Sequence, residues 1–246
     1  MGIGSELIST SAIATLVVGI IAGLLRGFSG FGGAIFAVPM LSLVYGPPAA
    51  IAVVLASGAI GTVQLIPGAL PFARWREILP MLAGSLVFTP LGTYLLLTGD
   101  PNIVRRAIGI FVLLAALLML RGWSWRGPRT IPIGGLAGIF SGLITGLGGM
   151  GGAIATLYLI SAKHAVSVIR ANLIIIIGVF NFVGFGYLLA GGAITGDILM
   201  KVAIYTPTYM ISIWIGARIF RGIADVVYRR VALWLLVAVG VLATIL

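Results

Sequence analysis

Apolar residues in this chain gather in long unbroken runs, without the half-and-half alternation of an amphipathic element. A helix needs about 20 apolar residues to cross a hydrocarbon core of roughly 30 Å. Runs approaching or reaching that length stand at Ile8 to Gly27, Pro48 to Pro67, Ile78 to Leu97, Ile103 to Leu120, Ile131 to Thr145, Ala165 to Leu189, Ile198 to Phe220 and Val226 to Leu246. They predict an all-α polytopic membrane protein. Two shorter runs, Ala34 to Tyr45 and Met150 to Ala162, each follow a glycine cluster. At 1.5 Å per residue these reach only about 18 to 20 Å, too little to cross upright.

The pattern occurs twice. "AGLLRGFSGFGG", Ala22 to Gly33, aligns with "AGIFSGLITGLGG", Ala137 to Gly149, at one inserted residue, and each precedes a short run and then a longer one. Internal duplication is the economical reading. The positive-inside rule tests its sense. If each glycine cluster merely interrupts one helix, Arg74, Arg76, Arg121, Arg126, Arg129 and Lys201 face one side, and Arg105, Arg106, Lys163, Arg218, Arg221, Arg229 and Arg230 the other: six against seven. If each cluster reverses the chain, Lys201 changes places with Lys163, Arg218, Arg221, Arg229 and Arg230, giving ten against three. The second count predicts two inverted repeats, each of four long transmembrane helices plus a short helix after the glycine break, with both termini outside a multi-pass protein of the cell's inner (plasma) membrane. The first repeat is expected over 1–121, a cytoplasmic linker over 122–130 and the second repeat over 131–246.

Composition agrees. Of 246 residues 61% are hydrophobic and only 8% charged, against a soluble norm near 25%. The net charge of +10 raises the question of nucleic acid, but the basic residues sit singly or in pairs between apolar runs, as juxtamembrane anchors do, so no nucleic-acid partner is expected. There is no cysteine and one histidine, which excludes thiolate sites and paired-imidazole metal or haem sites, and no cofactor or metal is expected. Met1 to Glu6 lacks the basic segment of a cleavable signal, so the first helix is expected to stay.

Irregular backbone at membrane depth survives only inside protein or beside a watery cavity, because each unpaired N–H or C=O costs several kcal/mol in lipid. A helix that begins there exposes its first N–H groups and its positive dipole end, and glycine lets a ligand approach the backbone. Both clusters are therefore candidate anion sites. The first supplies Arg26, Ser29, Gly30, Gly32, Gly33 and Ala34; the second supplies Ser141, Thr145, Gly146, Gly148, Gly149, Gly151 and Gly152. Arg170, inside the long run from Ala165, is a candidate counter-charge, with Asn172 and Asn181 on the same helix and Ser57 in the first half. Competing readings stay open: close helix packing for glycines such as Gly23 and Gly27, snorkelling to the headgroups for both arginines, and a surface place for His164. Phe28, Phe31, Tyr158, Phe180, Phe182, Phe185, Tyr205 and Tyr209 are candidate lining aromatics.

The duplicated "GFGGAIFAVP" and "GLGGMGGAIATLY", each opening a short helix, resemble the TauE/SafE family of sulfite and organosulfonate exporters over nearly the whole chain. Gly30, Gly32, Gly33 and Pro39 match the family's glycine turn followed by a proline. The second repeat departs from it, with no proline at Leu157 to Leu159, and the small-polar stretches take the forms "ASGAIG" and "RANLI". The resemblance implies a small sulfur-containing anion as substrate.

All five acidic residues, Glu6, Glu77, Asp100, Asp197 and Asp225, fall at predicted ends of spans, so no midspan carboxylate serves ion coupling. The membrane potential alone drives an anion out of a negative-inside cell. The expected function is electrogenic export by alternating access, with Arg170 and Arg26 neutralising the anion. Rival readings are an ion-coupled importer of the same anions, using His164 or unwound carbonyls, and an anion channel. No enzyme is expected, since His164 has no intramembrane acid near it in sequence.

Overall fold

The computed structural model describes residues 10–100, 123–160, 162 and 164–221, with scattered positions between 103 and 121 that are helical as far as 118. The run at 226–246 and the residues before Thr10 lie outside the described residues. The helices are α1 (Thr10–Ser29), α2 (Gly33–Tyr45), α3 (Pro47–Ala69, tightening into a 3-10 turn, Leu70–Phe72), α4 (Trp75–Thr98), α5 (Ile131–Gly148), α6 (Gly152–Leu159), α7 (Val166–Ala190) and α8 (Gly196–Arg221). Among the described residues, six helices are long and apolar enough to cross a membrane. No strand occurs among them.

The two short helices fold back. Gly30 and Gly32 take φ of 81° and 87°, the left-handed region that glycine enters without steric cost. The reversal brings Tyr45, at the end of α2, to the start of α1, where its Oη lies 2.7 Å from Thr15 Oγ1 and donates to Ser11 O at 3.3 Å. In the second half Gly149, φ 69°, caps α5, with its N–H on Thr145 O. Helix α6 is shorter than the apolar run Met150 to Ala162. The 123–130 segment takes up its last-turn carbonyls: Trp125 N–H donates to Leu157 O at 2.9 Å and Arg129 Nη2 to Tyr158 O at 3.2 Å.

Helices α3 and α7 pack on each other at the centre and are the most buried spans. Ile51 and Leu55 meet a core that includes Ile169, Leu173, Ile176 and Phe180. Helix α8 lies along α1, and α4 along α5. Both outer pairs are parallel, because Gly19, Gly23 and Gly27 step past Tyr205, Tyr209 and Ile213 in one register, as Gly138, Gly142 and Gly146 step past Met81, Ser85 and Thr89. At these seams a Cβ would meet backbone: 2.1 Å from Ile213 O at Gly27 and 2.1 Å from Met81 O at Gly138. In lipid, where tails are as apolar as leucine, such close packing takes the place of the hydrophobic drive. The outward faces carry Ile13, Val87, Phe140 and Ile211, all more than half exposed, as a lipid-facing surface requires.

Candidate functional site

Arg26 sits in the last turns of α1 and is 3% exposed. Its Nη2 donates to Thr62 Oγ1 of α3 at 3.1 Å, and Thr62 in turn donates to Gly58 O at 2.7 Å. Its Nε is buried with no partner. Among the described residues no carboxylate pairs with it. A guanidinium stays charged in proteins, and an ion taken out of water costs several kcal/mol unless it is compensated. One neutral hydroxyl falls short of that.

The N-terminus of α2 lies beside it. The first intrahelical bond runs from Phe36 N–H to Gly32 O at 3.1 Å, so the N–H groups of Gly33, Ala34 and Ile35 find no acceptor within the helix. No side chain caps them. A methyl on Gly33 would stand 2.9 Å from Ala22 O, 3.1 Å from Arg26 Cβ and 3.3 Å from Tyr209 Oη, so the stem of Arg26 and the Tyr209 phenol meet at the first turn of α2. Tyr209 stacks on Tyr205, ring centroids 5.1 Å apart.

Arg170 plays a different part. Its Nε donates to Phe28 O at 3.1 Å and its Nη2 to Gly27 O, while its guanidinium lies 4.3 Å from the Phe220 ring centre. Gly30 N–H takes Arg26 O at 2.8 Å. The Arg26, Gly27 and Phe28 carbonyls are thereby satisfied, and the negative helix end offsets the Arg170 charge. Two hydrogen bonds to a charged group contribute about 1.5 to 3 kcal/mol each, with up to about 2 kcal/mol more from a partly buried dipole contact. Arg26 has much less. Gly30 fits under this clamp, since a Cβ there would meet Arg170 Cγ at 3.0 Å.

The remaining candidates are spread around this centre. Ser57 Oγ shares a hydrogen bond of 2.8 Å with Thr206, tying α3 to α8. The Asn181 amide packs on Gly58, one turn from Thr62. Asn172 is turned elsewhere: its Oδ1 accepts the Arg74 N–H at 2.9 Å and holds the entry to α4. Asn172→Ala is therefore expected to lower thermal stability by about 1 kcal/mol and to leave anion affinity unchanged, readable in a melting curve with and without sulfite.

In the second cluster, Gly146 is set against Thr89, Gly149 against Val38 and Ile51, Gly151 against Ser141 O and Gly152 against Ile177. Gly148 is buried at the end of α5. Ser141, aligned with Arg26, is buried too, and its Oγ has no partner. The structure thus gathers Arg26, Gly30, Gly32, Gly33, Ala34 and Arg170 around the first turn, and sets the second cluster against α2, α3, α4 and α7. Sequence reasoning passed over Thr62, although a polar residue four positions after Gly58 in an apolar span was signal enough.

A family model described as Sulfite exporter TauE/SafE matches residues 15–243. No curated protein and no solved structure matches the chain.

Proposed function

The chain belongs to the Sulfite exporter TauE/SafE family, and from that premise we propose that it carries a small sulfur-containing oxyanion, sulfite or an organosulfonate such as sulfoacetate, out of the cell by alternating access. The observation that carries this is the buried Arg26, which no carboxylate pairs with among the described residues, beside the uncapped start of α2. A bound anion would supply the missing charge, with oxygens on Arg26 Nε, the N–H groups of Gly33 and Ala34, and Tyr209 Oη. The second cluster, Gly146 to Gly152, is the mirror position, where Ser141 stands in place of the arginine.

The packing supports two inverted repeats, 1–121 and 131–246, joined by a cytoplasmic linker, 122–130. Exchanging α1 with α5 and α4 with α8 turns the pair α1 and α8 into the pair α5 and α4, and α3 with α8 into α7 with α4; each of these pairs is in contact. Helices α3 and α7 meet at the centre of that exchange. The site lies where transporters with inverted repeats bind, at discontinuous helices on the repeat interface. Both termini would lie outside the inner membrane.

The membrane potential is the proposed driving force. It is worth about 2.3 kcal/mol per charge per 100 mV, which at about 1.4 kcal/mol per tenfold amounts to roughly a fiftyfold gradient for a monovalent anion. Proteoliposomes loaded with sulfite and held at a negative interior potential, with no proton or sodium gradient, are expected to empty until that ratio is approached. Efflux that stops without an ion gradient would overturn uncoupled export. A second reading rests on His164 Nε2, which lies 2.8 and 3.1 Å from the Glu77 carboxylate oxygens and joins the start of α4 to the approach to α7. That pair would bind a proton for coupled import, and dependence on a pH gradient in the same assay would select it.

A further inference from the structure

The hydrogen bond between Arg26 and Thr62 has a fixed direction. A threonine hydroxyl carries one hydrogen, and Thr62 gives it to Gly58 O, one turn back on α3, at 2.7 Å. The oxygen is then left as an acceptor, and it accepts from Arg26 Nη2 at 3.1 Å. Thr62 is fully buried. A back-bond of this kind restricts a β-branched side chain at χ1, so the place of the hydroxyl and the place of the methyl are set together.

The methyl goes to α7. A Cβ built on Gly178 would stand 2.3 Å from Thr62 Cγ2 and 3.4 Å from both Thr62 Cβ and Thr62 Oγ1. Gly178, itself buried, therefore leaves a notch in α7 that one methyl group fills. The crossing is reciprocal. A Cβ on Gly58 would stand 2.4 Å from Asn181 Nδ2, so the Asn181 amide presses on the turn whose carbonyl holds the Thr62 hydroxyl. Each central helix receives a side chain of the other at a glycine, and the Arg26 partner is one of the two side chains.

We propose that Thr62 is a positioning residue for the anion, seated by Gly178 in the other half of the chain: it holds the Arg26 guanidinium in one orientation, with Nη2 engaged and Nε left for an oxyanion. The inference deepens the reading of Arg26 as the oxyanion's partner and rests on it. Nε is the buried guanidinium nitrogen without a partner. A planar guanidinium matches an oxyanion through aligned donors, so its orientation sets the affinity, whereas chloride, a sphere, makes no such demand. The sign of the effect separates this role from a merely electrostatic one. Were Thr62 there only to ease a buried charge, its removal would leave Arg26 less satisfied and tighten every anion alike.

The test is sulfite and chloride binding to the full chain in detergent, titrated below the melting temperature of every variant. Thr62→Val, which keeps the outline of the side chain and removes the acceptor, is expected to weaken sulfite by about tenfold and chloride by less than about twofold. Gly178→Ala fills the notch and is expected to weaken sulfite likewise, with the hydroxyl still present. Moving the methyl across the contact repairs it: in the double variant Gly178→Ala with Thr62→Ser, the new Cβ faces positions 3.4 Å away, ordinary contact, and sulfite affinity is expected to return to within about threefold of the wild type. Tighter sulfite binding in Thr62→Val, or a change of less than twofold, would overturn the proposal. So would a double variant that binds sulfite no better than Gly178→Ala. Should Gly178→Ala fail to fold, Thr62→Val and the double variant decide the matter, the double variant then by whether it reaches that threefold range. Arg26→Gln binding sulfite as the wild type does would overturn the Arg26 reading, and this role of Thr62 with it.

Discussion

Arg26→Gln is expected to weaken sulfite binding by about a hundredfold or more, the usual cost of removing one member of a buried, hydrogen-bonded charge pair. The same variant is expected to be as stable as the wild type, or more so, in the absence of anion. Arg26 is 3% exposed with an unpartnered Nε, and replacing an uncompensated buried ion with a neutral amide relieves its desolvation cost. Glutamine can still reach towards Thr62. The measurement is a pair of melting curves for each protein, with and without sulfite at about a hundred times the wild-type Kd, where binding to the folded state alone adds about 2.7 kcal/mol. The wild type should shift upward and the variant should not. Unchanged affinity in the variant would remove Arg26 from the site. A variant that melts early without sulfite would make Arg26 a structural brace.

Arg170→Gln provides the contrast. The sequence marked both arginines as intramembrane charges, and nothing local separates them. The separation comes from a contact spanning 142 residues, in which Arg170 Nε meets Phe28 O and completes the end of α1. Pairings over such distances leave no periodic trace. Elements were legible because their causes are local: apolar length set α3, α4 and α7, and the sharp limits of α2 came from Gly32 before it and Gly46 after it. The fold-back of α2 was legible from its length and from the basic residues, and Tyr45 meeting Ser11 and Thr15 agrees with it. The end of α6 was hidden, because Trp125 and Arg129 reach it from the 123–130 segment. Asn172 and Asn181 looked equivalent on one helix, yet Asn172 serves the entry to α4 and Asn181 lies on Gly58.

Glycine chemistry divides in the same way, and Gly146 shows where. The sequence offers it as a backbone donor to the ligand, but a Cβ there would stand 2.2 Å from Thr89 O and 2.4 Å from Thr93 N. These are backbone atoms of a packed helix, which can yield only by moving α4 away from α5. Gly146→Ala is expected to cost about 3 kcal/mol or more as an overpacked seam, a fall in Tm of roughly 6 to 12 °C for a chain of this size. The fall should be the same with and without sulfite, and the protein that remains folded should bind sulfite as the wild type does. Lost affinity at unchanged Tm would instead place Gly146 in the ligand's shell. Gly27 occupies the matching seam, 2.1 Å from Ile213 O by the same construction, but it also follows Arg26 directly and offers its carbonyl to Arg170. Gly27→Ala should therefore lose stability and affinity together. The two seams are alike in packing, and only the first adjoins a buried cation that no carboxylate pairs with among the described residues.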